Sequence, residues 1–103
     1  MIYCNPYMLE THLYKIVCKD ETINDTFYGH AAKIKPVRSK HKSNCKNNNR
    51  YRHLYAFIND HGGWNNWELK EIELFKFGHT GQLKDRLREL RSLPHATLNK
   101  HKK

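Results

Sequence analysis

The sequence predicts an α+β domain, a small three-stranded antiparallel sheet flanked by helices, in the order β-β-α-α-β-α. Three observations carry this. Two β-rich runs, "HLYKIVC" (12–18) and "TFYGH" (26–30), are separated only by the polar "KDETIND", which reads as a hairpin with a long connection. "RYRHLYAFINDHGG" (50–63) places Tyr51, Leu54, Tyr55 and Ile58 at i, i+3, i+4 and i+7, the spacing of one buried helix face. "GQLKDRLRELRSL" (81–93) repeats that spacing with Leu83, Leu87 and Leu90.

The remaining elements follow in order. Gly29 ends the second strand at a place where backbone can approach a neighbour closely. Pro36 suits the first turn of a helix, where its missing N–H costs nothing, and sets a helix over 36–45 with "KNNN" as its polar stop. Val37 is almost its only apolar residue, so this helix is expected to be partly exposed. Gly62 and Gly63 stop the next helix in left-handed backbone. "WELKEIELF" (67–75) mixes Trp67, Leu69, Ile72 and Leu74 with charges and reads as the third strand. Thr80 is the expected N-cap of the last helix, and the tail "ATLNKHKK" is expected to fray at its end. No repeat or linker divides the 103 residues. They make a single domain over 1–103, with its core at about 12–100 and residues 1–11 as an N-terminal extension.

Composition narrows the partner. The formal charge is +9 and the sequence pI is near 9.6, which favours an anionic partner. No stretch couples a basic face to a wide apolar one, so a membrane surface is disfavoured. No run approaches the length of a membrane span, and "MIYCNPYML" lacks the features of a signal peptide. Cys4, Cys18 and Cys45 are odd in number and widely spaced. They fit neither a zinc knuckle nor an even disulfide framework, and reduced thiols in an intracellular compartment are expected.

The charge is clustered. From Lys33 through Arg52 the chain has no carboxylate, while Lys33, Lys35, Arg38, Lys40, Lys42, Lys46, Arg50 and Arg52 crowd the interval. Solvated helix faces ordinarily interleave acidic residues, so these cations are read as a nucleic-acid-binding surface and DNA as the partner. Such point charges position a backbone without reading bases. Cutting it would need a general base, a cation over the developing charge and commonly a metal held by carboxylate. Tyr14, Tyr28 and His41 are the candidate acid–base groups. Glu89, among Arg86, Arg88 and Arg91, is the candidate metal ligand. Against each stands a plainer role: strand tyrosines pack, and a Glu among arginines forms ion pairs.

The blocks "YKIVCKDETIND", "FYGH", "KHKSNC", "HGGWNNWEL" and "ATLNK", in this order of elements, resemble the GIY-YIG nuclease domain, in particular the short stand-alone versions of large DNA viruses. The resemblance covers nearly the whole chain from residue 12. It implies single-metal endonuclease chemistry. A strand tyrosine (Tyr14) serves as base, an arginine on the first helix clamps phosphate, and a glutamate on the last helix holds Mg²⁺ or Mn²⁺.

The motif is degenerate in this chain. His12-Leu13 precedes Tyr14 in place of Gly-Ile. Phe27 occupies the second tyrosine position, and Tyr28 beside it is expected on the opposite face of its strand. Val37 stands where the arginine belongs, four residues before His41, with Arg38 as the nearest substitute. Leu87 stands at the glutamate position, two residues before Glu89. Two functions follow from these departures: a weak metal-dependent endonuclease using Tyr14, Arg38, His41 and Glu89, or a nucleic-acid-binding module that has lost the cutter. A basic structural protein with a protein partner is the remaining reading.

Overall fold

A computed structural model describes residues 9–47 and 52–99. The elements are β1 (Leu9–Cys18), β2 (Phe27–Ala31), α1 (Ile34–Asn47), α2 (Arg52–Asp60), β3 (Trp67–Phe77) and α3 (Thr80–Arg91). They run in the predicted order. The sheet is antiparallel throughout, with strand order β2-β1-β3. Among the described residues no helix is long and apolar enough to cross a membrane.

Period-2 alternation along β1 and β2 divides the core into two layers. Tyr14, Ile16, Cys18 and Phe27 face one side, where Leu54, Tyr55 and Ile58 of α2 cover them and Ile34, Val37 and Cys45 of α1 pack alongside. Leu13 and Tyr28 face the other side, against Leu83, Leu87 and Leu90 of α3. α1 and α2 therefore lie on one face of the sheet and α3 on the other. A bulge in β3 sits between the pairs Leu13–Glu73 and Tyr14–Glu71, leaving Ile72 without a partner in the ladder.

Gly29 falls inside β2 rather than ending it, and other element ends shift by one or two residues; three further departures from the sequence reading have a physical reason. β1 starts at Leu9 because residues 9–11 pair with 75–77 of β3. α1 begins at Ile34, which still leaves Pro36 in the first turn, where N–H groups have no intrahelical partner. His79, not Thr80, is the extended N-cap of α3; Gln82 Oε1 accepts from the Gly78 N–H at 2.6 Å and the His79 N–H at 3.4 Å, holding the entry turn.

The C-terminal segment docks through residue 99, and its end, where fraying is expected, lies outside the described residues. Ala96 and Leu98 are buried. The Thr26 N–H donates to His95 O at 2.9 Å and the Leu98 N–H to Thr26 O at 3.3 Å. The Asn99 side chain then acts as a strand surrogate: Oδ1 accepts from the Tyr28 N–H at 2.6 Å, and Nδ2 donates to Tyr28 O at 2.8 Å. An amide carries both a donor and an acceptor, so one residue blunts the edge of β2.

Candidate nucleic-acid interface

The α1 face of the sheet is built around Tyr14. Its ring lies across β2 at Gly29, where an added Cβ would stand 2.6 Å from the hydroxyl. Glycine at that position is what lets the ring pack flat on the strand. The hydroxyl then meets His41 Nε2 at 2.9 Å, and His41 Nδ1 meets the Tyr55 hydroxyl at 2.8 Å. A chain of three polar side chains thus runs from β1 through α1 to α2, inside an otherwise apolar layer. A neutral imidazole has one donor and one acceptor nitrogen, and a phenol can be either, so the chain is self-consistent with His41 uncharged.

His41 is held uncharged. Burial, with the adjacent Lys40 ammonium adding to it, lowers its pKa from 6.5 to about 4. The sign of the linkage follows. The unfolded chain takes up a proton near pH 6.5 that the folded chain refuses until about pH 4. The contribution is complete above the unfolded value and is lost as pH falls through the folded one. Unfolding free energy from urea titration is expected to be lower at pH 4.5 than at pH 7 by about 2 kcal/mol from this group. His30, whose pKa is lowered by burial and by Arg91, acts in the same direction. A His41→Leu variant flattens most of the slope; an unchanged slope would assign it to other groups.

Outward from this chain the surface is cationic. Gly62 and Gly63, at φ of 100° and 76°, turn the backbone after α2 and present Trp64, whose indole lies nearly parallel to the His41 ring at 14°. Lys19, Arg38 and Lys42 line a groove of about 370 Å³ together with Trp64, Asn65 and Trp67, and among the described residues no carboxylate lines it. The Lys19 ammonium donates to Asn65 O at 3.0 Å, and Arg38 Nη2 donates to Leu69 O at 3.1 Å on the open edge of β3. Arg38 and Lys42 are one helical turn apart, so they present their charges side by side. On the other flank of α1, Lys33 and Lys40 border a shallower groove with Ala31, Pro36 and Val37.

Comparisons with protein-family models, with curated proteins and with solved structures give no match. Function has to be read from the geometry of the site itself.

That geometry separates the residues named from the sequence. Tyr14, His41 and Arg38 lie on the α1 side of the sheet, but His41 is beneath the surface rather than in the groove, at 4 % exposure. Tyr28 faces the opposite layer, as its place in the strand requires, and its hydroxyl meets His95 Nε2 at 2.6 Å. Val37 packs against the Tyr14 layer, while Arg38, one position on, points into the groove. Glu89 sits on α3, across the sheet from Tyr14, with its side chain 70 % exposed and Arg86 as a distant partner at 3.9 Å. Lys33, Lys35, Lys40 and Lys42 are exposed. The side chains of Lys46 and Arg52, and all of Arg50, lie outside the described residues.

Mg²⁺ is held by oxygen ligands, usually carboxylates. Around Tyr14 stand His41, Phe27 and Tyr55, and among the described residues no cluster of three His, Cys, Asp or Glu side chains is placed to hold a metal. Glu89, the ligand that the resemblance implies, does not stand beside Tyr14.

Three contributors are poorly marked in the sequence. Tyr55 has the spacing of a core residue, which it is, but its hydroxyl also fixes His41. Lys19 belongs to a polar loop with no pattern of its own. Trp64 does carry a signal, an aromatic placed between a Gly-Gly turn and two asparagines, where no core pattern requires one.

Proposed function

We propose that this protein is a DNA-binding module on a scaffold of the GIY-YIG type, gripping the phosphate backbone through α1 and its flanking loops without the metal-dependent cutting of that family. One observation carries the reading: exposed cations converge on a carboxylate-free groove at Arg38, while the candidate metal ligand, Glu89, belongs to the far side of the sheet.

The grip is electrostatic. Lysine and arginine displace counterions from the phosphates they neutralise, and Arg38 can present a planar fork to phosphate oxygens. The indole of Trp64 adds a flat apolar wall suited to sugar or base edges. Below the groove, the Tyr14–His41–Tyr55 chain serves as a rigid floor. A tyrosine that must accept a proton from water needs solvent beside its hydroxyl; that of Tyr14 is turned toward a buried imidazole.

The reading is tested by plasmid nicking with Mg²⁺ or Mn²⁺, wild type against Glu89→Ala, beside a DNA-binding isotherm. Both proteins are expected to bind and to leave the plasmid equally intact, because Glu89 lies away from the groove. Metal-dependent nicking that Glu89→Ala abolishes would instead favour a weak endonuclease. Failure to bind DNA at low salt would remove both readings and leave a protein-binding role.

A further inference from the structure

The opposite face of the molecule carries a second cationic groove, on α3. Lys84, Arg88 and Arg91 recur at i, i+4 and i+7, so their side chains form one stripe. With Leu87 and Ser92 they line a cavity of about 480 Å³. All three cations are exposed. Among the described residues no acidic side chain lines the cavity, although α3 carries two carboxylates. Asp85 pairs with Arg88 at 3.2 Å in a largely solvated geometry, an interaction worth little and readily exchanged for phosphate. Glu89 lies toward Arg86, whose guanidinium is already engaged by Glu73 at 3.0 Å. No ion pair involving Lys84 or Arg91 occurs among the described residues. Arg91 is also anchored, donating to Tyr28 O at 3.3 Å, which fixes one end of the stripe against β2.

We infer that the α3 groove is a second phosphate-backbone site, and that the protein bridges two DNA duplexes, one on α1 and one on α3. This rests on the DNA-binding reading above and extends it to the other side of the sheet.

Two sites on one duplex are ruled out by stiffness. The grooves lie on opposite faces of a body about 26 Å thick. One duplex reaching both would have to reverse direction within a few turns. Bending a site of 20–30 bp by only 40–90° already costs on the order of 1–6 kcal/mol, and a reversal costs far more. Two separate duplexes need no bending. Bridging is then the natural outcome for a small protein with opposed cationic faces.

The experiment immobilises a short duplex, loads the protein, washes, and adds a second, fluorescent duplex of unrelated sequence. Wild type is expected to capture it. The Lys84→Ala/Arg88→Ala variant spares the anchoring Arg91. It is expected to stay on the first duplex, with Kd within about threefold of wild type, and to lose about tenfold or more of the second-duplex capture. A Lys70→Ala/Lys76→Ala variant removes the same charge from exposed positions of β3 and is expected to retain capture. Thermal melts of all three verify folding.

The inference is overturned if wild type holds the first duplex but captures no second. It is also overturned if the α3 variant captures as well as wild type, or if the β3 variant loses capture as fully. A wild-type protein that retains no first duplex at all removes the DNA-binding reading itself, a result distinct from the others.

Discussion

His41→Ala is expected to be the most destabilising single substitution on the α1 face. The imidazole is 4 % exposed and bonded on both sides. Its removal takes away the hydrogen bond that His41 makes to each of two phenolic hydroxyls inside an apolar layer and opens a cavity between α1 and the sheet. Losing two buried hydrogen bonds costs about 1–3 kcal/mol, and the cavity adds to that. The sum is roughly 3–5 kcal/mol, a lowering of Tm by at least about 12 °C for a domain of this size. The control is His53→Ala on α2, an exposed histidine whose loss is expected to stay within about 0.5 kcal/mol. If the two variants melt together, the Tyr14–His41–Tyr55 chain is not a structural floor. The result bears on function, because a residue that braces the fold is not available to hold phosphate.

The second large effect is in the salt dependence of DNA binding. Replacing Lys19, Arg38 and Lys42 together by alanine removes three cations from the Trp64 groove. Every phosphate left without its cation lowers the slope of log K against log salt by about 0.9, so the triple variant's slope is expected to be shallower by about 2.7. Between 50 and 200 mM salt, each neutralised phosphate accounts for a factor of about 3.5 in affinity; three account for roughly 40-fold. Wild-type affinity should therefore fall about 40-fold more than the variant's over that range. Lys19 and Arg38 also donate to backbone carbonyls, but these bonds are near the surface, and a melt of the variant checks that folding survives. An unchanged slope would place the phosphates away from this groove.

Arg38, His41 and Lys42 stand within little more than one turn of the same helix, and their roles are opposite. Nothing in the local sequence distinguishes them strongly. "PVRSKHKSNC" has so few apolar residues that its inward face is poorly marked. Local pattern therefore allows both Arg38 and His41 as phosphate ligands, and only the docking of the helix separates them. Val37 supplies a weak hint, since His41 lies one turn beyond it on the same side. The partners that decide the matter are remote: Tyr14 is 27 residues from His41, and Tyr55 is 14 residues away.

The sheet is more legible. Alternation is a property of the strand itself, so the placement of Tyr28 on the face opposite Phe27 follows from consecutive residues. The helix of Leu83, Leu87 and Leu90 is equally plain, since leucines at that spacing have one face to bury. The same spacing puts Glu89 on the solvent side of α3, but not on a particular side of the sheet. That depends on α3 packing against Leu13 and Tyr28 rather than Tyr14.

By itself, then, the sequence determined the order of the elements, which residues share a strand face, and a concentration of positive charge without interleaved acid. All of these are local, set by backbone periodicity and composition. Tertiary structure alone decided that His41 turns inward and Arg38 outward, that the C-terminal Asn99 closes the edge of β2, and that Glu89 and Tyr14 stand on opposite sides of the sheet. Those outcomes depend on burial and hydrogen-bond partners brought together from distant parts of the chain, and a pattern of near neighbours does not contain them.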